Sequence, residues 1–260
     1  MKEEKIKILI LNYNGKQYLE DCLDSIRRIN YSNFSVIVID NNSSDGSDEY
    51  VASNYPDIDF FQTGKNLMFS GGYNCFFERN SEESFYLILN NDTIVDSEIL
   101  NSFMAGVRRY GRKNIYGSKI MFMNSKNKIW YAGAKVDLLK GVIKHLNIRK
   151  NDSGKLEDSK TDYVTGCSMF VHSAIIDKLD GFDSAFTMYM EDVDFCLRAR
   201  DAGSDCYFLN APKVFHHVSG SAKNKQLKIM LSYIKLSNKH TGLLSFINVP
   251  LFFFRRLLSI

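Results

Sequence analysis

The stretch FYLILNNDTIV, residues 85–95, begins with apolar residues and then becomes polar. Residues 85–89 have the composition of a buried strand, and Asn90, Asn91 and Asp92 follow it directly. In open α/β sheets, ligands bind beyond the carboxyl ends of the strands. The stretch therefore predicts a buried strand that ends at a ligand-binding crevice, and the rest of the chain can be read outward from it.

The first half of the chain alternates short β-rich apolar runs with amphipathic stretches. This alternation is typical of a parallel sheet with crossover helices. The predicted strands are 5–11, 34–40, 58–61 and 85–90, and the predicted helices are 16–29 and 97–110. Both helices carry apolar residues at helical spacing. We therefore predict a doubly wound α/β half of the nucleotide-binding type over residues 1–112.

The second half has a different pattern. Its predicted elements are antiparallel strands at 115–123 and 128–138, a polar, turn-rich loop at 147–162, and a further strand at 163–172. The stretch EDVDFCLRARDAG, residues 191–203, predicts a helix that ends at Gly203, the residue type favoured just after a helix. We expect residues 113–222 to form a smaller half continuous with the first, followed by a basic and apolar helical segment, residues 223–260.

Composition and charge narrow the class of protein. Of the 260 residues, 45% are hydrophobic and 24% are charged, which is ordinary for a soluble globular protein and argues against disorder. The net charge of +3 is unevenly distributed, because residues 206–260 contain eight Lys or Arg and no Asp or Glu. No recognised nucleic-acid-binding module surrounds this basic end, so we expect no nucleic acid partner.

The cysteines and the N-terminal residues indicate the cellular compartment in which the protein is expected. The five cysteines are scattered, odd in number and without metal-binding spacing, which fits a reducing compartment. The N-terminal stretch MKEEKIKILIL has two acidic residues before a short strand-like run, unlike a signal peptide. No segment approaches the roughly 20 apolar residues of a spanning helix. We therefore expect a cytoplasmic protein.

Polar residues close three of the predicted strands. They are Asn12, Tyr13, Asn14 and Gly15 after the first strand, Asp40, Asn41, Asn42 and Ser43 after the second, and Asn90, Asn91 and Asp92 after the fourth. The carboxylate of Asp40 would lie at the rim of the sheet and accept a hydrogen bond from a base or a ribose. Alternatively, residues 40–47 form a turn with helix-capping residues. Gly71 and Gly72 open a predicted helix whose free N–H groups could approach a phosphate.

Asp92 and the paired histidines His216 and His217 are candidate metal ligands. A hard divalent cation, Mg²⁺ or Mn²⁺, takes carboxylate oxygen and shares its coordination shell with phosphates and water, so Asp92 would suit a crevice that holds a diphosphate. A neutral imidazole would be a further ligand. The alternatives are that Asp92 caps the helix near Ser97 and that the histidines are buried, hydrogen-bonded residues.

Three acids, Glu191, Asp192 and Asp194, lie within four residues at the predicted start of a helix. The helix dipole stabilises acids there, and Asp194 can pair with Arg198 one turn later, so helix electrostatics account for Asp194. Glu191 and Asp192 follow a bulky apolar stretch and should lie in a partly dry site. A carboxylate of raised pKa in such a site could take a proton from a sugar hydroxyl.

Seven motifs occur in order along the chain: NYNG, VIVIDNNSSDGS, NLMFSGGYN, LILNNDTIV, TGCSMFVH, GFDSAFTMYMEDVDFCLRARDAG and VFHHVSGS. Over about residues 5–222 they resemble family 2 glycosyltransferases of the GT-A fold, most closely the bacterial rhamnosyltransferase-type branch. The resemblance implies a GT-A catalytic domain over residues 1–222. It also implies metal-dependent, inverting transfer of a sugar from a nucleoside-diphosphate sugar (dTDP-rhamnose or a UDP-sugar) to a glycan or lipid-linked acceptor in surface polysaccharide synthesis.

The same resemblance implies roles for individual residues. The nucleotide-sugar-binding residues would be Asn12, Tyr13, Asp40, Asn42, Gly71, Gly72, Asn74 and Asn91. Asp92 and His216 would hold the divalent cation, although the acid-x-acid motif of the family is here reduced to Asn90, Asn91 and the single carboxylate of Asp92. Asp192 would be the catalytic base of the inverting reaction, with Glu191 beside it.

The basic C-terminal segment, residues 223–260, allows two interpretations. It could lie on an anionic membrane face, as a peripheral contact that would suit a lipid-linked acceptor. Alternatively, its apolar side packs on the catalytic domain or on a partner subunit of a homo-oligomer. Two other functions compete with transfer. A sugar nucleotidyltransferase would need a Gly-rich basic phosphate loop, which NYNGKQ matches poorly, and a sugar-nucleotide-binding protein would keep the crevice but little turnover.

Overall fold

The computed structural model describes residues 3–218 and 225–258, with side chains up to Arg256. Its strands are β1 (Ile6–Asn12), β2 (Phe34–Asp40), β3 (Asp59–Gln62), β4 (Phe85–Asn90), β5 (Thr93–Val95), β6 (Ile115–Phe122), β7 (Ser125–Tyr131), β8 (Ala134–Asp137), β9 (Val142–His145), β10 (Ser159–Thr161), β11 (Ser168–His172) and β12 (Cys206–His216). Its helices are α1 (Lys16–Arg27), α2 (Ser47–Asn54), α3 (Met68–Phe77), α4 (Ile99–Tyr110), α5 (Ser173–Leu179), α6 (Glu191–Asp201), α7 (Lys225–Thr241) and α8 (Ser245–Leu258), with a 3-10 turn at Gly242–Leu244.

One large mixed sheet carries both predicted halves. Within the described residues it has ten strands, eight of them in the order β10-β12-β6-β11-β4-β1-β2-β3, while β5 pairs with β12 and β7 with β6. Strand β1 runs parallel to β2 and β4, and β2 runs parallel to β3. Strand β11 is antiparallel to both β4 and β6, so it joins the second half to the first. The predicted α/β fold with a mostly parallel nucleotide-binding half is confirmed.

The centre of the sheet is the core of the molecule. Residues 85–89 of β4 are all buried, and Leu87, Ile88 and Leu89 have no exposed surface. Burying one such side chain contributes about 1.5–3 kcal/mol. Strand β4 is hydrogen-bonded on both edges, to β1 and β11. Consecutive residues of β4 point to opposite faces and are all buried, so both faces are covered, which explains why its sequence lacks the polar alternation of a half-exposed strand.

Two predicted elements differ from the observed ones. The predicted strand 128–138 is two strands, β7 and β8, because Gly133 has a φ of +85° and breaks the extended backbone. The predicted strand 163–172 is extended only from Ser168. The residues before Ser168 instead make a turn, in which the N–H of Ser168 bonds to the carbonyl of Thr165.

We expected Gly71 and Gly72 to open helix α3, and this prediction is wrong. The helix begins at Met68, and the two glycines follow that residue by three and four positions. A Cβ atom on Gly72 would lie 2.5 Å from Cδ1 of Leu11. Gly72 therefore allows α3 to approach strand β1 closely. This is a packing reason for the glycine, and it brings the start of α3 to the edge of the sheet where the strands end.

Helices α7 and α8 form a hairpin that packs on the β8–β9 region. The rings of Tyr233 and Phe252 stack with centroids 3.7 Å apart, and Tyr233 donates a hydrogen bond to the carbonyl of Leu138. A Cβ atom on Gly141 would lie 2.5 Å from the backbone nitrogen of Phe252, so this glycine admits α8 against the β8–β9 turn. In the part of the chain that the structure describes, no helix combines the length and hydropathy needed to cross a bilayer.

Candidate active site

Three polar strand ends converge at one edge of the sheet, as the sequence predicts. The Nδ2 of Asn12 donates to Oδ2 of Asp40 at 2.8 Å, because the two residues face each other in the parallel register of β1 and β2. On the other side of β1, the Nδ2 of Asn91 donates to Oδ1 of Asn12 at 2.7 Å. Asn12 thus links the ends of all three strands, with its own side chain fully buried.

Asp40 is the centre of this network. Its carboxylate is fully buried and accepts hydrogen bonds from the backbone N–H of Ser43 at 2.8 Å and the hydroxyl of Ser43 at 2.6 Å, besides that from Asn12. The contact with the backbone of Ser43 is the turn chemistry that we considered as an alternative. Asp40 therefore fixes the side chain of Asn12 and the loop after β2 through these hydrogen bonds.

Tyr13 and Asn42 stand on either side of this network. Both side chains are exposed, and Tyr13 is 51% exposed although it follows a buried residue. Asn42 has a left-handed backbone with a φ of +64°, which Asn tolerates better than most residues. An exposed tyrosine ring at the end of a parallel strand is available to a planar ligand, which is the position that the sequence predicts for a nucleobase.

Asn41 is a site residue to which we gave no role from the sequence. It is buried, its Nδ2 donates to the carbonyl of Met68 at 2.9 Å, and its Oδ1 accepts from the hydroxyl of Thr63 at 3.2 Å. It therefore ties the end of β2 to the start of α3. Its position directly after Asp40 was the only signal in the sequence.

Asn74 lies on another side of α3. Its amide binds the backbone of Phe182 twice, donating to the carbonyl at 2.7 Å and accepting from the N–H at 2.9 Å. Gly71 and Asn74 line a cavity of about 850 Å³ that also contacts Lys239 and whose lining does not include Asp92, Asp192 or His216. The structure thus places Asn74 against the chain that leads to α6, whereas Asn12, Asp40 and Asn91 form the strand-end cluster.

Asp92 and His216 are adjacent in space. The pairing of β5 with β12 places His216 opposite Thr93, and Nε2 of His216 lies 3.2 Å from Oδ1 of Asp92. Asp92 does not cap α4, because the residue at the N-terminal cap of that helix is Glu98. The backbone N–H of His217 donates to the carbonyl of Asp92 at 2.9 Å, and the ring of His217 packs on Tyr18 instead. Of the two histidines, His216 is therefore the one beside the carboxylate.

Two polar atoms of this pair fit a cation site. Within the described residues, Nδ1 of His216 is buried without a hydrogen-bond partner, and Oδ1 of Asp92 is buried with no hydrogen bond beyond its ion-pair contact with Nε2 of His216. Burial alone would lower the pKa of His216, but the neighbouring Cys167 and Asp92 raise it to about 10, so without a cation the imidazole is protonated beside Asp92, and a bound cation would have to displace that proton. Residues 3–218 and 225–258 contain no cluster of three or more His, Cys, Asp or Glu side chains that could hold a metal ion. Asp92 and His216 would thus supply two ligands, and ligand oxygens and water the others.

Glu191 and Asp192 begin helix α6 and are held differently. The two oxygens of Asp192 accept backbone N–H groups, Oδ2 from Gly166 at 3.0 Å and Oδ1 from Val193 at 2.8 Å. Burial raises the pKa of Asp192, and these hydrogen bonds oppose that shift. Burial and the charge of Asp192 raise the pKa of Glu191 to about 8, and its Oε2 has no hydrogen-bond partner in the described structure. Because two backbone N–H groups bind Asp192 and no donor binds Oε2 of Glu191, the arrangement favours the proton on Glu191 and the charge on Asp192.

The turn before β11 brings the two acidic sites together. Gly166 binds Asp192, and the next residue, Cys167, lies beside His216. Burial raises the pKa of the Cys167 thiol, His216 lowers it, and Asp92 and Asp192 raise it further, because all three groups are close to the thiol. The motif TGCS, residues 165–168, thus separates the Asp92–His216 pair from Asp192 by one turn of chain. We gave this turn no role from the sequence.

The predicted ion pair in α6 is present but is only part of a larger contact. Nε of Arg198 lies 2.7 Å from Oδ2 of Asp194, as the spacing of four residues predicts. The other oxygen of Asp194 binds Lys239 at 2.7 Å and His240 at 2.8 Å. Burial opposes ionisation of this carboxyl, but its contacts with His240, Lys239 and Arg198 lower its pKa to about 2. The C-terminal hairpin is therefore joined to the helix that carries Asp192.

The sequence matches one protein family and is similar to proteins of named activity. Residues 7–178 match the family described as "Glycosyl transferase family 2". The chain is similar to an N-acetylglucosaminyl-diphospho-decaprenol L-rhamnosyltransferase of Mycobacterium tuberculosis (strain CDC 1551 / Oshkosh), with 20% identity over 91% of this chain and 85% of that protein. It is also similar to rhamnosyltransferase WbbL of Escherichia coli (strain K12), with 23% identity over 82% of this chain and 83% of that protein.

The fold is shared with solved structures. A crystal structure of GalNAc-T7 with UDP, GalNAc and Mn²⁺ superposes with a TM-score of 0.71 and 13% identity. The match covers 91% of this chain and 48% of that one, so the chain spans about half the length of GalNAc-T7. At this identity the likeness shows the architecture alone, which is the GT-A fold predicted from the sequence.

Proposed function

Because the chain belongs to glycosyl transferase family 2, we propose that it is an inverting enzyme that moves a sugar from a nucleoside-diphosphate sugar to an acceptor hydroxyl. The observation that carries the proposal is the turn at residues 165–168. It contacts Asp192 through Gly166 and lies beside His216 through Cys167, so the proposed base and the proposed cation site lie on either side of one short turn. A substrate that needs both a proton acceptor and a charge-neutralised leaving group fits this arrangement.

The chemistry follows from the arrangement of these residues. Asp192 takes the proton of the acceptor hydroxyl, whose oxygen attacks the anomeric carbon from the face opposite the diphosphate. The bond to the diphosphate breaks, the diphosphate leaves with the electron pair, and the configuration of the sugar inverts. The N–H groups of Gly166 and Val193 hold Asp192 in its charged form and in one orientation. A divalent cation, Mg²⁺ or Mn²⁺, held by Asp92 and His216 would neutralise the charge on the leaving diphosphate.

The donor would bind along the strand ends. The exposed ring of Tyr13 would contact the base, and the network of Asn12, Asp40 and Asn91 would hold the polar rim of the crevice in place. The names of the two rhamnosyltransferases favour a rhamnosyl donor such as dTDP-rhamnose, and a UDP-sugar is the alternative, since GalNAc-T7 binds UDP. The acceptor would be a glycan or a lipid-linked sugar, since the mycobacterial relative is named for a decaprenol-linked substrate.

A further part of this proposal is peripheral contact with the inner face of the cytoplasmic membrane through the outer face of α8. This outer face consists of Phe246, Ile247, Pro250, Leu251 and Phe254, which share one side of the helix by their spacing, together with Leu243 of the preceding 3-10 turn. Leu243 is 84% exposed and Phe246 is 80% exposed, whereas Asn248 and Phe252 on the opposite side are buried. Exposed apolar surfaces of this kind mark sites of interaction.

Charge favours an anionic lipid surface as the partner. Residues 225–258 contain six Lys or Arg and no Asp or Glu. Each basic residue near an anionic surface contributes about 1 kcal/mol, and the apolar face can enter the interface between headgroups and acyl chains. A second copy of the chain would instead bring two positively charged hairpins together. A homo-oligomer through this face is therefore the less favoured alternative.

The function can be tested with Asp192→Asn. A thermal-shift screen with dTDP-rhamnose and UDP-hexoses first identifies a donor, because a bound donor stabilises the native state. We expect Asp192→Asn to bind that donor with unchanged affinity in calorimetry but to release no nucleoside diphosphate, whether water or a sugar is the acceptor. The matched control is Asp201→Asn, an exposed acid at the far end of the same helix, which should behave as wild type. Turnover by Asp192→Asn would exclude this carboxylate as the base.

If the wild-type protein binds the sugar nucleotide but releases no nucleoside diphosphate, the alternative of a sugar-nucleotide-binding protein is favoured. Formation of a sugar nucleotide from a nucleoside triphosphate and a sugar phosphate would favour a nucleotidyltransferase. The two competing functions can thus be separated from glycosyl transfer in the same set of reactions.

A further inference from the structure

The chain that leads to the catalytic helix is held by a residue that is distant in sequence. We define the approach segment as residues 183–190, which precede Glu191 directly. We propose that Lys239 of α7 is a positioning residue, which fixes the approach segment and thereby the orientation of Asp192. This inference rests on the proposed function, in which Asp192 is the base.

Lys239 contacts the start of the approach segment and the helix that follows the segment. Its Nζ lies 2.6 Å from Oδ2 of Asp183, at the start of the segment, and 2.7 Å from Oδ1 of Asp194, in the first turn of α6. The same Nζ lies 5.7 Å from the ring centroid of Phe186, in the middle of the segment. One ammonium group therefore closes a loop that contains Glu191 and Asp192.

Other residues of α7 bind the backbone between these two acids. The hydroxyl of Ser232 donates to the carbonyl of Met188 at 2.9 Å, and the Nζ of Lys235 donates to the carbonyl of Ala185 at 2.9 Å. Helix α7 therefore lies along the approach segment. It reaches α6 through Lys239 and His240, and Lys239 also binds Asp183 at the start of the segment.

The backbone at the end of the approach segment explains why such a support is needed. Tyr189 and Met190 have φ values of +70° and +69°, and two consecutive non-glycine residues in the left-handed region are unfavourable. Backbone of this kind persists only where its surroundings fix it. These two residues set the direction in which Glu191 and Asp192 leave the segment, so loosening the segment would change the position of the base.

Removing Lys239 should leave the fold intact. The buried carboxylate of Asp194 would still bind Arg198 at 2.7 Å and His240 at 2.8 Å. Asp183 is partly exposed and can be solvated. The expected effect is therefore on the geometry of the site rather than on global folding.

The test compares Lys239→Met, Lys239→Arg and the control Asn238→Ala in the full chain. Asn238 is exposed on the same helix, next to Lys239. With the donor found by thermal shift, we expect Lys239→Met to lower kcat about tenfold to a hundredfold, since small misplacement of a catalytic group has effects of this size. Donor affinity should not change. A guanidinium also bridges two carboxylates, so Lys239→Arg should restore kcat to within about threefold of wild type.

Hydrogen exchange provides a readout that does not depend on turnover. Amides of residues 184–192 should exchange faster in Lys239→Met than in wild type or Asn238→Ala. The proposal is overturned if Lys239→Met keeps wild-type kcat and exchange, or if Lys239→Arg is as impaired as Lys239→Met at the same melting temperature. If the Lys239→Met variant is active and the Asp192→Asn variant is inactive, the positioning role of Lys239 is excluded but Asp192 remains the proposed base. If the Asp192→Asn variant is active, Asp192 is excluded as the base.

Discussion

Gly15 and Asn91 are in contact at the end of the sheet: a Cβ atom on Gly15 would lie 2.0 Å from Nδ2 of Asn91 and 2.8 Å from Oδ1 of Asn12. These are the two atoms that form the 2.7 Å hydrogen bond between Asn91 and Asn12. Gly15 therefore leaves room for the link between the ends of β1 and β4.

The first prediction concerns Gly15→Ala. Gly15 has a φ of −117°, which any residue adopts, so the new methyl group acts by displacing the side chain of Asn91 and not by straining the backbone. We expect a loss of donor affinity of about tenfold, the value of roughly one hydrogen bond, with little change in melting temperature. Isothermal calorimetry with the donor measures it.

A double-mutant cycle with Asn91→Ala tests the mechanism of this loss. If the methyl group acts through Asn91, Gly15→Ala should cost nothing further once Asn91 is truncated. Additive effects of the two substitutions would show that Gly15→Ala acts by another route.

The second prediction concerns the cation. Chelation with EDTA should lower turnover, and Mn²⁺ or Mg²⁺ should restore it, because the charge on the leaving diphosphate would otherwise be uncompensated. His216→Ala should weaken Mn²⁺ binding in the presence of UDP by about tenfold or more, measured by electron paramagnetic resonance. His217→Ala is the matched control, since its ring packs on Tyr18. Equal Mn²⁺ affinity in both variants, or turnover that ignores chelation, would contradict the assignment.

The third prediction concerns Glu191 and pH. The pKa of Glu191 is raised from 4.5 to about 8 by burial and by Asp192, so the folded protein holds a proton that the unfolded chain releases near pH 4.5. The associated stability is complete below about pH 4.5 and is lost as the pH rises to about 8. Glu191→Gln has no such proton to lose. Its free energy of unfolding relative to wild type should rise with pH across this window, by up to about 1.4 kcal/mol per pH unit.

Urea denaturation between pH 5 and pH 9 measures this difference, with Asp201→Asn as the control at an exposed acid of the same helix. Because Gln resembles the protonated carboxyl, Glu191→Gln should also keep its turnover near pH 7. A difference in stability that stays constant with pH would mean that Glu191 is ionised in the folded protein at neutral pH.

The fourth prediction concerns the outer face of α8. Wild-type protein should sediment with vesicles that contain anionic phosphatidylglycerol and much less with neutral phosphatidylcholine vesicles. The double variant Phe246→Ser/Phe254→Ser should bind the anionic vesicles at least about tenfold more weakly, because two aromatic side chains are lost from the interface. Both residues are exposed, so the fold should be retained. Ile148→Ser, at an exposed apolar residue outside this face, is the control.

Unchanged vesicle binding by the double variant would exclude this face as the membrane contact. A wild-type dimer in analytical ultracentrifugation that dissociates in the double variant, without vesicle binding by either, would assign the face to a second copy of the chain.

Periodicity and residue type in the sequence determine much of the fold. A continuous apolar run predicts the buried strand β4, and apolar residues at helical spacing predict helix α1. Both patterns are local, so neither prediction requires knowledge of the elements that pack on them. The polar strand ends follow from the same pattern, because parallel strands end at one edge. The nearness of Asn12, Asp40 and Asn91 was thereby predictable before any coordinates.

Tertiary structure decided what local pattern does not contain. Gly133 breaks the predicted strand 128–138 because its backbone is left-handed, which the sequence allows but does not require. The turn at residues 165–168 lies between Asp192 and His216 only because β11 and β12 flank β6 in the sheet. The contact of Lys239 with Asp183 and Asp194 joins residues more than 40 positions apart, and the lysine itself resembles any other on a basic helix. Sequence pattern indicates which face of an element is apolar. The partner of each polar group is set by packing between elements that are distant in the chain. For this reason, only the folded chain reveals that Lys239 supports the segment that leads to Asp192.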